Sequence, residues 1–168
     1  MDLNNPLNQG GEVQQAVAPV DINGNAQSSR QYDMSYVERL CVLVMLGAVG
    51  ATFNVRLRQA TGSDDGGEKN LDIPADRIYK SADANSAPVA DDTDLASGVL
   101  AVPADADNSV YCIEVLQGDL DSDNDFSHVS IDLTDPGAAT VVGVVVVAAK
   151  SATSHNTGKP SIAEDDPA

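Results

Sequence analysis

Residues 52–59, TFNVRLRQ, alternate Phe53, Val55 and Leu57 with Asn54, Arg56 and Arg58. A strict period of two sends the two sets to opposite sides of an extended strand, and the apolar set must be covered by a second layer. HVSIDLT, at 128–134, repeats the pattern, with Val129, Ile131 and Leu133 on one side and His128, Ser130, Asp132 and Thr134 on the other. Two further runs do not alternate. VYCIEVLQ at 110–117 is apolar on both sides apart from Glu114, and VVGVVVVAAK at 141–150 is apolar nearly throughout. Such runs belong in the middle of a sheet or sandwich, since an exposed edge of that composition recruits other chains.

The segment SYVERLCVLVMLGAVG, residues 35–50, admits two readings. Ser35 followed by Glu38 matches a helical capping box. The valines, the Gly47 and Gly50 stop and the strand that follows at once favour a strand, paired with 52–59 through the GAVGA turn. Short strands are expected at RIYKSA and GVLAVP, and loops at 61–70 and 134–139 from their Gly, Asp and Pro content. Residues 1–31 and 151–168 are polar, lack apolar periodicity and read as extended arms on either side of one domain at 32–150. The reading is all-β: an antiparallel, jelly-roll-like β-sandwich with N- and C-terminal arms, with Phe53 and Ile131 in its core.

Charge narrows the partners. The formal net charge is −17, from 26 acidic against 9 basic residues, and no Lys or Arg occurs between Lys80 and Lys150. A field of that sign disfavours nucleic acid and anionic membrane. The longest apolar run mistaken for a span, at 40–51, is too short to cross a bilayer, and MDLNNPLNQGGEV has no basic region of the secretory type. A soluble protein is expected. The preference for Asp over Glu and the scarcity of Lys suggest work in a salt-rich medium.

The aspartates at 119, 121, 123 and 125 raise the question of a cation site. Counted from Asp121, a calcium-loop template finds Asp123 and Asp125 at its third and fifth positions, but Phe126 replaces the turn glycine and Asp132 the final Glu. Asp121, Asp123 and Asp125 therefore stand as weak metal candidates, and no cofactor is expected. Paired catalytic carboxylates need environments that split their acidities, which a loop this charged does not suggest. Neither Cys41 nor Cys112 lies near a histidine in sequence; both sit in apolar runs, as free thiols or as a cross-strand disulfide. His128 reads as a structural residue at the start of a strand and His155 lies in the tail. No phosphate loop or nucleophile elbow is present, and six aromatic residues without tryptophan offer little for stacking a sugar or base. No enzyme is expected.

LGAVGATFNVRLRQATGSDDGGEKNL at 46–71 and DNDFSHVSIDLTDPGAATVVGVVVVAAK at 123–150 resemble a group of virion proteins of tailed bacteriophages, the capsid decoration or cement proteins. The first stretch is similar to the family's strand, glycine turn and alternating strand ending in a Gln-Ala-Thr loop, and the second to its closing strands. The resemblance implies a protein on the capsid surface of the virion that holds neighbouring major capsid protein subunits together, commonly as a homo-oligomer, with a trimer favoured. Leu3, Leu7, Val13, Val17 and Val20 of the N-terminal arm, with Arg30, Arg39, Arg56 and Arg58, are then the candidate capsid contacts. A tail or spike component and a calcium-dependent carbohydrate-binding module are the alternatives.

Overall fold

The computed structural model describes residues 12–62, 67–83, 86–90 and 95–150. They form two antiparallel sheets packed face to face. The first sheet runs in the order β1 (Glu12–Asp21), β12 (Thr140–Lys150), β4 (Val37–Val49), β10 (Val110–Leu116), β7 (Ile78–Ser81), β8 (Val89–Ala90). The second is centred on β11 (His128–Leu133) and β5 (Phe53–Ala60). β2 (Gln27–Ser28) and β3 (Tyr32–Asp33) pair along the free side of β11, and β6 (Lys69–Asn70) and β9 (Val99–Val102) along that of β5.

Alternation decides what lies between the sheets. Leu40, Val42, Val44 and Leu46 of β4, Tyr111, Ile113 and Val115 of β10, and Val142, Val144 and Val146 of β12 turn inward to meet Phe53, Val55 and Leu57 of β5 and Val129, Ile131 and Leu133 of β11. Phe53 and Ile131 are both in the core, as their alternation predicts. The strands at 78–81 and 99–102 also fall within the stretches read as strands from sequence.

Residues 35–50 are a strand and not a helix, but that strand does not pair with 52–59. β4 lies between β12 and β10 in the first sheet, whereas β5 belongs to the second, so GAVGA is a corner between layers rather than a hairpin turn. Its backbone is held by other loops: Asp107 Oδ1 accepts the Val49 N–H at 2.6 Å, and the Ala139 carbonyl accepts that of Gly50 at 3.0 Å. A Cβ at Gly50 would stand 2.5 Å from that carbonyl, which is why the corner takes glycine.

Part of the segment read as the N-terminal arm is a packed element. Residues 12–21 form β1, hydrogen-bonded along β12, and Val17 is buried in the core with Val20 against it. The signal was hidden by two register shifts, between Gln15 and Val17 and between Val17 and Val20, which break the period of two. Pro19 is tolerated because β1 is an edge strand that needs donors on one side only. Asp21 ties the strand's end in place, accepting the Thr140 N–H at 2.9 Å and the Asn23 N–H at 3.0 Å. Residues 1–11 and 151–168, which include Leu3, Leu7 and His155, lie outside the described residues.

Candidate functional site

The aspartate series forms two single turns of 3₁₀ helix, Gln117–Asp119 and Ser122–Asn124, with Asp125 in the left-handed region at φ 64°. Its carboxylates have separate tasks. Asp119 takes both Arg77 nitrogens, at 2.5 and 2.8 Å, and the Leu116 N–H at 2.7 Å, in a largely enclosed pair. This contact raises the pKa of Arg77 above its ordinary value and keeps the guanidinium charged. Asp121 pairs with Lys69 and accepts from Asn124 Nδ2 at 2.8 Å; the Lys69 ammonium, first among these, holds the carboxyl below its ordinary value. Asp123 and Asp125 are exposed. Among the described residues no three acidic, histidine or cysteine side chains converge in a metal-holding group.

Phe126, at the template's glycine position, is half-buried, with Lys69 Nζ 4.3 Å from its ring centre. A cleft of about 370 Å³ beside it is lined by Met34, Leu120 and Phe126 together with Ser35, Gln117 and Asp125. His128 Nδ1 lies 2.9 Å from Ser127 Oγ and the ring is half-buried, in keeping with a structural role. The loop is therefore fastened to the body by its acids, and its first two aspartates are spent on cations of the chain itself.

The two outer faces of the sandwich differ sharply. That of the second sheet is polar: Arg56 and Arg58 of β5 stand beside Ser130 and Asp132 of β11. Arg58 contacts Glu68 at 2.6 Å and Asp132 at 3.6 Å, and Glu68 also accepts from Gln31 at 3.0 Å and Ser130 at 3.3 Å. Arg56 is exposed, and Arg30 lies over the Tyr32 ring at 5.5 Å from its centre.

On the first sheet the outward positions are mostly apolar, with Gln15 of the edge strand β1 opposite Val145 as a polar exception. Val13 of β1, Val141, Val145 and Val147 of β12, Leu43 and Met45 of β4, Val110 and Leu116 of β10 and Tyr79 of β7 share this side by register. Its charged groups in the central strands are Arg39 and Glu114, joined at 2.9 Å. Cys41 and Cys112 lie at its centre on adjacent strands as free thiols with their sulfurs 2.8 Å apart. The hydrogen bond between them pushes the Cys41 thiol up and the Cys112 thiol down, because one sulfur donates to the other.

These faces divide the candidate contacts. Arg56 and Arg58 share the second sheet's outer face and Arg30 belongs to the adjoining segment, but Arg39 is on the opposite side of the molecule. Val17 and Val20 are committed to the core, leaving Val13, 52 % exposed, as the outward valine of β1 among them. What sequence reading missed is the apolar outer face. Runs apolar on both sides carry the signal, but the same pattern also fits a strand covered on both sides.

No family model matches the chain, and no curated protein matches it. Among solved structures it is similar to the SPBc2 prophage-derived protein YomS, at 6 % sequence identity and a TM-score of 0.40, over 82 % of this chain and 92 % of that one. A likeness that remote carries neither fold nor function across, and both rest on this chain's own strands and side chains.

Proposed function

We propose that the protein is a virion structural component, a capsid decoration protein that binds the outside of a tailed-phage head and braces major capsid protein subunits. The observation that carries this reading is the division of a two-layer body into one apolar and one polar, arginine-bearing outer face, while Asp119 and Asp121 of the acidic loop are tied to Arg77 and Lys69. Such a body suits adhesion. The resemblance of 46–71 and 123–150 to the cement proteins points the same way, and those stretches supply β5, β6, β11, β12 and the corner between the sheets.

In this reading Arg56 and Arg30 meet acidic capsid surface beside Arg58, which Glu68 and Asp132 hold, and the neighbouring copies on a head make attachment multivalent. Cosedimentation with heads lacking the protein tests it. The full chain is expected to pellet with them, and Arg56→Glu combined with Arg30→Glu to weaken binding by about tenfold or more, as reversing desolvated charge pairs does. Full-length protein that stays in the supernatant would remove the proposal.

A further inference from the structure

The outer face of the first sheet is unlike a solvent-facing sheet surface. Val13, Met45, Tyr79 and Val141 are 52, 37, 38 and 40 % exposed, and Leu43, Val145 and Val147 between them are half-buried. At strand spacings of about 4.8 Å and about 3.3 Å per residue, seven residues on each of four strands and the short β7 make a face of roughly 500 Å². That is at the upper end of the largest apolar patch a monomeric protein exposes, a size at which such patches often mark an interaction site.

We propose that this face packs against the same face of a second copy of the chain, giving a two-fold dimer of sandwiches. Charge selects the occupant. The chain carries −17 overall, so two copies repel everywhere except where charge is absent, and on this face Arg39 and Glu114 cancel each other at 2.9 Å. A flat apolar sheet is also complementary to itself in an isologous contact. Two such faces together bury about 1,000 Å², the lower bound of a specific interface. The chain's own remaining segments fit less well: 151–168 has Ile162 as its one large apolar residue, and 1–11 offers Met1, Leu3 and Leu7. This dimer departs from the trimer that the cement-protein resemblance favours, and it stands whether or not the protein binds a head.

Sedimentation equilibrium of the full chain tests it, with the central thiols as reporters. Wild type is expected at twice the 17.4 kDa chain mass, with association tightening as salt is added. Met45→Lys and, separately, Val13→Glu, at positions that already reach water, are expected to give single chains with an unchanged β-type circular dichroism spectrum. Under reducing conditions, alkylation of Cys41 and Cys112 is expected to slow about tenfold as protein rises from about 1 to about 100 µM, by mass action. A monomeric or odd-numbered wild type overturns the proposal, as does an oligomer that both variants leave intact. Thiol protection independent of concentration would assign the cover to the chain's own segments, and protection arising only on heads would assign it to the capsid; either result overturns a second copy.

Discussion

Phe53 and Asp121 show how differently single residues serve this molecule. Phe53 is 2 % exposed between the sheets, so Phe53→Ala leaves a void that the surrounding valines and leucines fill only partly. A loss of about 3 to 5 kcal/mol is expected, read as a lower denaturation midpoint with an unchanged slope. Asp121 is a surface tie. Its carboxyl titrates below the ordinary value of 3.8 because Lys69 and Asn124 stabilise the charged form, as the Thr140 and Asn23 amides do for Asp21. A lowered folded value means stabilisation complete above the unfolded value and lost as pH falls through the folded one. Asp121→Asn is therefore expected to melt below wild type at neutral pH, with the gap closing below about pH 4. A gap constant down to pH 2 would contradict the tie.

At the scale of elements, the fold depends on corners where the chain passes from one sheet to the other. Gly98, just before β9, sits at φ +66°, and a Cβ there would stand 2.6 Å from the Leu57 carbonyl and 2.8 Å from the Leu71 nitrogen. Both contacts are with backbone that cannot step aside. Gly98→Ala is expected to cost at least about 2 kcal/mol, from the left-handed conformation and the clash together, measured by chemical denaturation. The alternation of 52–59 and 128–134 made β5 and β11 legible without coordinates, because a strand's side chains alternate whatever its partners are. β1 was illegible for the opposite reason: two register shifts and Pro19 erase the period of two, and what makes 12–21 a strand is the continuous edge of β12 beside it.

Over the whole molecule the dominant force besides core burial is self-repulsion. With 26 acidic against 9 basic residues, carboxylates crowd a surface several of whose cations are spent in pairs such as Arg77–Asp119 and Arg58–Glu68. Screening shortens the range of that repulsion to about 10 Å at 0.1 M salt and about 3 Å at 1 M. The melting temperature is expected to rise steadily with NaCl across this interval, and a flat response would mean that repulsion is a minor part of the balance. Calcium added at matched ionic strength is expected to add nothing further, since Asp119 and Asp121 already have protein partners.

By itself the sequence determined the class of fold, the inward residues of β5 and β11 and the sign of the surface, since alternation and charge are local properties carried by each segment wherever it lies. Tertiary structure alone decided which sheet each strand joins, that Arg39 is parted from Arg56 and Arg58, and that among the described residues the runs apolar on both sides have cover on only one. The physical reason is that a period of two says which side chains share a side, but not which backbone edge or which second layer will meet them.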